Sequence, residues 1–64
     1  MKKRTKIIVK SPGEPEMTLE ANEDIIDKVV RTIINNGGRQ VRNGTYEIGD
    51  TTPVIQRFND LKYR

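Results

Sequence analysis

The sequence predicts an α+β fold: a small, mostly antiparallel sheet built from two hairpins, with two helices packed on one face, in the order ββαββα. Three observations predict it. Residues 5–10 are rich in β-branched side chains and end at a Ser-Pro-Gly turn, which is typical of a strand. Apolar residues recur at helical spacing between positions 25 and 34. An Asn-Gly pair at 43–44 separates two strand-like runs, the strongest short signal of a hairpin.

The first hairpin joins residues 5–10 to residues 16–20 around a loop at 11–15. Its predicted register sets apolar side chains opposite each other on one face and opposite charges on the other. A slip of one residue would destroy both patterns, so the sequence specifies the register well. The predicted pairs are Ile7 with Leu19 and Val9 with Met17 on one face, and Lys6 with Glu20, Ile8 with Thr18 and Lys10 with Glu16 on the other.

The charges follow the chain in blocks, within a formal net charge of +3. Residues 1–10 hold five basic residues and no acid, whereas residues 11–27 hold six acids and no base. Two of the first five cations are predicted to meet carboxylates of the hairpin, which leaves three free. We therefore expect one domain over residues 1–64, with residues 1–4 as a flexible basic arm. The three free cations are Lys2, Lys3 and Arg4.

The clearest helix is predicted for residues 22–36. Its Ile and Val content favours a strand, but the apolar spacing keeps a helical period over three turns, and we let the period decide. Asn22 suits the N-cap, and Gly37 suits the left-handed position that follows many helices. The six apolar residues of this helix are Ile25, Ile26, Val29, Val30, Ile33 and Ile34.

This apolar helix face is wider than one sheet layer needs. Half of it, formed by Ile25, Val29 and Ile33, is expected to cover the sheet. The other half then needs either a second helix of the same chain or another protein chain, and both alternatives stay open. The candidate partner-binding residues are Ile26, Val30 and Ile34.

The second hairpin is predicted to turn at the Asn-Gly pair with a regular two-residue loop. That register sets Arg42 opposite Thr45, Val41 opposite Tyr46, Gln40 opposite Glu47 and Arg39 opposite Ile48.

The last segment is predicted to be a short amphipathic helix. Thr52 suits its N-cap and Pro53 its first position. Its apolar face would carry Val54, Ile55, Phe58 and Leu61. The rival prediction is a further hairpin that turns at residues 59–60.

The composition excludes several kinds of chemistry. The 64 residues include no Cys and no His, which excludes zinc sites made of thiolates and imidazoles. The only serine, Ser11, has no His to act as its base, and the acids are expected to be solvated. We expect no catalysis, cofactor or metal. The longest aliphatic run is residues 7–9, far below the ~20 apolar residues of a membrane span, so we expect a cytoplasmic protein. The small size and the lack of cysteine are consistent with a phage or bacterial origin.

The glycine- and arginine-containing loop at 37–44 resembles a phosphate cradle in composition only. Phosphate-binding loops precede a helix and present its N-terminus, whereas this loop follows a helix. Each glycine also has a structural role, at a helix end or in a turn. We therefore interpret the loop as a helix stop followed by a hairpin.

Two functional hypotheses remain. The first is a small non-enzymatic protein-interaction module that regulates or inhibits a larger intracellular partner, or self-associates as a homodimer. The second is a nucleic-acid-binding module that uses the basic arm and the loop at 37–44. The two differ in whether the basic side chains converge on one face. The candidates for the second are Lys2, Lys3, Arg4, Arg39, Arg42, Tyr46 and Arg57, with Lys62 and Arg64 beyond them.

Overall fold

The computed structural model describes residues 3–63 and confirms the α+β class and the order ββαββα. Four strands form one sheet, and two helices pack against it. Met1, Lys2 and Arg64 lie outside the described residues. The elements are β1 (Arg4–Lys10), β2 (Met17–Asn22), α1 (Glu23–Asn35), β3 (Arg39–Arg42), β4 (Thr45–Glu47) and α2 (Thr52–Lys62).

The sheet is mixed, with the strand order β2-β1-β4-β3. Each hairpin supplies an antiparallel pair, and the two hairpins join through parallel pairing of β1 with β4. Helix α1 makes this connection feasible, because parallel strands need a long crossover between them. The mostly antiparallel sheet of the prediction is thus completed by one parallel seam.

The first hairpin has the predicted register. Ile7 pairs with Leu19 and Val9 with Met17, and the polar partners follow in the same register. The loop starts with the expected tight turn: the Glu14 N–H donates to the Ser11 carbonyl at 3.2 Å, and Gly13 has a φ of 76°. Only glycine adopts that φ readily, which is why Pro-Gly suits this turn.

One face of the sheet is buried and the other is open. The core contains the alternate strand residues of β1 and β2 together with residues of both helices. Within residues 3–63, both helices lie on this side, and we call the opposite side the outer face. The buried core consists of Ile7, Val9, Leu19, Ala21, Ile26, Val29, Ile33, Ile48, Val54 and Phe58.

Helix α1 begins at Glu23 and ends at Asn35, close to the predicted bounds. Asn22 precedes it as predicted, but its side chain makes no capping hydrogen bond. Instead, the Glu23 N–H donates to the Lys3 carbonyl at 2.8 Å, which attaches the helix start to the chain before β1.

The C-terminus of α1 closes with the glycine motif that the sequence predicts. Gly37 has a φ of 86°, and its N–H donates to the Ile34 carbonyl at 3.2 Å. The Gly38 N–H donates to the Ile33 carbonyl at 2.8 Å. These two bonds satisfy the last carbonyls of the helix, as in a Schellman motif.

The prediction of which α1 residues face the core is wrong, because the helix is rotated relative to the predicted orientation. Ile26, predicted to be spare, is only 3% exposed and packs in the core with Val29 and Ile33. Ile25 and Val30 flank that stripe and are partly buried. The reason is rotational: at ~100° per residue, positions 26, 29 and 33 form the centre of one stripe.

The second hairpin departs from the predicted register. Arg42 pairs with Thr45 as predicted, but Gln40 pairs with Tyr46 and Arg39 with Glu47, because Val41 is an extra residue in a β-bulge. Gly44 has a φ of 80°, whereas no described residue other than glycine has a positive φ. A regular two-residue hairpin turn of the favoured type needs two left-handed residues, so this turn is followed by a bulge instead.

The last segment is a helix, as predicted, and the rival hairpin is excluded. α2 starts at Thr52, so its N-cap is Thr51, one residue before the predicted cap. Asp50 supplies the missing acceptor, because its Oδ1 accepts the Thr52 N–H at 2.9 Å. Val54 and Phe58 are buried, whereas the predicted face member Ile55 is 39% exposed.

Candidate functional site

A groove lies between α1 and the turn of the second hairpin. Its volume is about 480 Å³, and three elements line it: the first half of β1, one flank of α1 and the residues around the Asn-Gly turn. We call it the α1 groove. Its residues are Thr5, Lys6, Ile7, Glu23, Ile26, Asp27, Val30, Arg31, Asn43, Gly44 and Tyr46.

Two of the three predicted partner-binding residues line this groove, and the third lies beyond it on α1. Ile26 and Val30 both line it, although Ile26 is nearly buried. Ile34 lies on the same side of the helix, one turn beyond Val30, and is 48% exposed, the highest exposure among the Ile and Val residues of the described chain. Val30 and Ile34 are therefore the accessible part of the predicted apolar face.

This flank of α1 stays accessible because α2 packs against the other flank. Thr32 of α1 and Pro53, Gln56, Arg57 and Asp60 line a shallow cleft of about 410 Å³ between the two helices. On the helical wheel, Thr32 and Val30 lie on opposite sides of the buried stripe. The second helix of the chain thus covers only one side of the wide apolar face, and the side that carries Val30 and Ile34 remains accessible.

The groove also borders a half-paired strand. β1 has seven residues, but β4 pairs with only the last three of them, Ile8 to Lys10. On the side of β1 that faces β4, the pairing begins where the Ile8 N–H donates to the Gly44 carbonyl at 2.8 Å. Because backbone direction alternates along a strand, the N–H and C=O of Lys6 point to the same side as those of Ile8.

The outer face brings together several predicted nucleic-acid-binding residues. The bulge at Val41 turns Arg39 and Arg42 to this same face, which the predicted regular register would not have done. It also separates both arginines from Tyr46, which pairs with Val9 and packs against the core. The outer face carries five basic residues, Arg4, Lys6, Lys10, Arg39 and Arg42, and three acidic ones, Glu16, Glu20 and Glu47.

Most of these cations already have a carboxylate partner. Nitrogen–oxygen distances are 3.3 Å for Lys10 with Glu16, 3.3 Å for Arg39 with Glu47, and 3.8 Å for Arg4 with Glu20. The predicted freedom of Arg4 is thus wrong. Lys6 faces Glu20 in the register as predicted, but the two form no ion pair among the described residues. Arg4 belongs to β1, and its long side chain reaches Glu20 diagonally across the hairpin.

The remaining basic candidates do not form one patch. Lys3 and Arg42 are exposed and, like Lys6, form no ion pair within residues 3–63. Arg57 lies on α2, away from the outer face, and its Nη1 is 3.6 Å from Oδ2 of Asp60. Lys62, also on α2, has its Nζ 5.3 Å from the centre of the Phe58 ring.

Ser11 has a structural position. It is buried, and its Oγ donates to the Gly49 carbonyl at 3.0 Å, joining the first loop to the end of the second hairpin. Within residues 3–63, no group of three or more acidic side chains is placed to hold a metal ion. No helix in that range has the length and apolar character needed to cross a membrane.

Comparison of the chain with protein-family models, with curated proteins and with solved structures finds no match in any of the three.

The sequence did not predict the half-paired strand. A signal for it was available, because the predicted second hairpin has runs of only four residues on each side of its turn, shorter than the predicted strand at residues 5–10. Parallel pairing of the two hairpins then leaves part of β1 without a neighbour. What was missing was the pairing itself, which no local pattern encodes.

Proposed function

We propose that this chain is a small non-enzymatic protein-interaction module that regulates or inhibits a larger partner, and that it binds that partner through the α1 groove. The observation that carries the proposal is the accessible apolar flank of α1, because Val30 and Ile34 remain outside the core after α2 has packed. The proposal places the protein in the cytoplasm, as expected from the sequence.

The small binding free energy available from each apolar side chain supports a site that combines several kinds of contact. Burying the exposed half of Ile34 contributes roughly 1 kcal/mol, and the half-buried Val30 contributes less. Neither amount would hold a partner alone. The groove adds a half-buried tyrosine, Tyr46, and the exposed backbone of β1, so apolar and hydrogen-bonding contacts are available in one place.

A photo-crosslinking experiment tests this proposal. A benzophenone amino acid replaces Ile34 in one variant and Ile55 in another, because the two side chains are 48% and 39% exposed on different helices. We expect the variant at position 34 to crosslink one defined protein in the producing cell, and the variant at position 55 to give no such product. Equal crosslinking at both positions would contradict the α1 groove as the binding surface.

Self-association is the second outcome that this experiment distinguishes. A crosslinked product of twice the chain mass at position 34, together with a concentration-dependent mass in light scattering, would identify the partner as a second copy of this chain. A defined heterologous product with a monomeric mass in light scattering would identify a different protein. Both outcomes use the same groove, so the mass of the product decides between them.

The second candidate function is nucleic-acid binding on the outer face. The observation that favours it is the convergence of Arg39 and Arg42, which the bulge turns to one side. Against it, Glu47 neutralises Arg39, and the face offers no aromatic ring for stacking among the described residues. The proposal for protein binding therefore stands first.

A salt titration with mixed single- and double-stranded nucleic acid tests this second candidate. Binding that weakens steeply with salt, and that falls in Arg42→Ala but not in Arg57→Ala, would support the outer face. Arg57 is the matched control because it lies on α2, away from that face. Equal losses in both variants, or no binding at low salt, would exclude it.

A further inference from the structure

The unpaired half of β1 is a site for an incoming strand. Ile8 and Lys10 use their backbone groups to pair with the β4 side: the Ile8 N–H donates to Gly44 at 2.8 Å, and the Lys10 carbonyl accepts from Ile48 at 3.0 Å. By the alternation of a strand, the backbone groups of Arg4 and Lys6 face the same side. No other described backbone group forms a hydrogen bond to them there.

This exposed backbone lies beside the α1 groove, whose lining combines apolar side chains with the charged Lys6, Glu23, Asp27 and Arg31. The α1 groove, about 480 Å³, is lined by Thr5, Lys6 and Ile7 on the strand side and by Ile26 and Val30 on the helix side. A segment paired with β1 would alternate its side chains between the outer face and the groove. The side chain level with Ile7 would therefore enter the cavity beside Val30.

We propose that an extended segment of a partner protein adds to β1 at Arg4–Lys6, in line with β4, and inserts one apolar side chain into the α1 groove. This inference rests on the proposed function and names the form of the bound partner. Its main-chain hydrogen bonds would supply affinity, and the cavity would select an apolar residue at one position, as in other cases of β-strand addition.

The outer edges of the sheet are the competing positions for such a strand. β3 is poorly suited, because it has four residues, a bulge at Val41 and the cations Arg39 and Arg42. β2 has six residues and a regular register, so its outer edge is open to pairing at Thr18 and Glu20. Neither the α1 groove nor the cleft between the two helices is lined by a residue of β2, so a strand added there would lie beside neither of them.

The first part of the test measures amide hydrogen exchange in the free, unmodified chain. We expect the Lys6 N–H to exchange fast and the Ile8 N–H to exchange slowly, because only the latter is bonded to Gly44. Slow exchange at Lys6 comparable with that at Ile8 would overturn the proposal, since the backbone would already be paired.

The second part uses a defined probe, the acetylated and amidated pentapeptide Thr-Val-Thr-Val-Thr, at millimolar concentrations in an NMR titration. We expect saturable shifts at Arg4, Lys6 and Val30, and at least about tenfold slower exchange at Lys6. A version with N-methylated valines should not bind, because it lacks the necessary donors. Absence of saturable shifts, or shifts confined to Thr18 and Glu20, would overturn the proposal.

Matched proline variants locate the site. Lys6→Pro removes an N–H that faces the groove, and Thr18→Pro removes one that faces the outer edge of β2. Lys6→Ala controls for the loss of charge, and circular dichroism verifies that each variant is folded. We expect only Lys6→Pro to lose the peptide. If Thr18→Pro alone loses it, the strand adds to β2, and the protein-binding function stands without this inference.

If Lys6→Pro fails to fold, the exchange and shift mapping of the unmodified chain decides the outcome. Crosslinking at position 34 reports on the proposed function independently of strand pairing. A defined crosslinked partner together with an unaffected Lys6 amide would contradict the strand addition only. Loss of both the crosslink and the peptide shifts would contradict the proposed function as well.

Discussion

The Nη2 atom of Arg39 lies 3.3 Å from Oε1 of Glu47, and the two residues are register partners on the outer face of the sheet. Glu47 is also the register partner of Lys10 on its other side. Lys10 in turn lies 3.3 Å from Glu16. A row of alternating charges therefore runs from β3 across β4 and β1 to Glu16, just before β2. The charges of this row neutralise one another, which limits what the arginine can offer a polyanion.

The Arg39–Glu47 pair is expected to contribute little to stability. The two side chains are 78% and 43% exposed, and solvent-exposed pairs of this kind contribute about 0.2–1 kcal/mol. A double-mutant cycle with Arg39→Ala and Glu47→Ala, followed by urea unfolding, measures the coupling. We expect it to fall within that range and to fade at ~1 M salt. A coupling that persists at high salt would contradict this account.

Gly38 is expected to tolerate no side chain. A Cβ there would meet the Ile33 side chain and lie 2.7 Å from the Glu47 carbonyl oxygen, in a place where helix and strand approach closely. We expect Gly38→Ala to destabilise the fold by about 1–3 kcal/mol. Gly49→Ala is the matched control, because a Cβ there meets nothing within 4 Å and its φ is not positive. Equal unfolding midpoints for the two variants would refute the close approach.

Two neighbouring isoleucines test the phase of α1. Ile33 is fully buried, whereas Ile34 is about half exposed. Ile33→Ala should cost about 2–5 kcal/mol, a large share of the stability of a domain this small. Ile34→Ala should change stability by less than about 0.5 kcal/mol. Thermal or urea unfolding of both variants checks the prediction, and a reversed order would mean that the helix is rotated by one residue.

Asp50 is expected to make the start of α2 sensitive to acid. Hydrogen bonds from Thr52, first its backbone N–H and then its hydroxyl, hold the pKa of Asp50 below its ordinary 3.8. A lowered pKa in the folded state stabilises the fold at pH values above 3.8, and this contribution is lost as the pH falls through the folded pKa.

The measurement is urea unfolding of the unmodified chain and of Asp50→Asn from about pH 6 to about pH 2. Asparagine keeps an acceptor for the Thr52 N–H but carries no charge. We expect the difference between the two to be constant in the upper part of this range and to shrink below pH 3.8. A difference that grows on acidification would have the wrong sign and would disprove the assignment.

Local patterns predicted most of this fold. The register of the first hairpin followed from alternation, since a slip at Ile7 or Val9 would have exposed the core face. Gly37 marked the end of α1, and Pro53 marked the beginning of α2 within one residue. In each case a few adjacent residues determine the outcome, so tertiary contacts were not needed to make the prediction.

The errors arose where contacts between distant segments of the chain determine the structure. The phase of α1 depended on where α2 packs, and nothing near Ile26 specifies that. The bulge at Val41 depends on the conformation of the turn and on the pairing of β4 with β1. A regular register counted from the turn therefore assigned Arg39 the wrong partner. The candidate groove was missed for the same reason, because it exists only after the two hairpins have joined.

The parallel seam between β1 and β4 has a consequence for how this chain is made. Of the four strands, β1 is the first to leave the ribosome, yet its second edge gains a neighbour only when residues 45–47 have emerged. Until then the nascent chain holds a two-stranded hairpin and a helix, which are marginal structures in water. The second hairpin must therefore leave the ribosome before this sheet can form, so the first hairpin waits for its neighbour during synthesis.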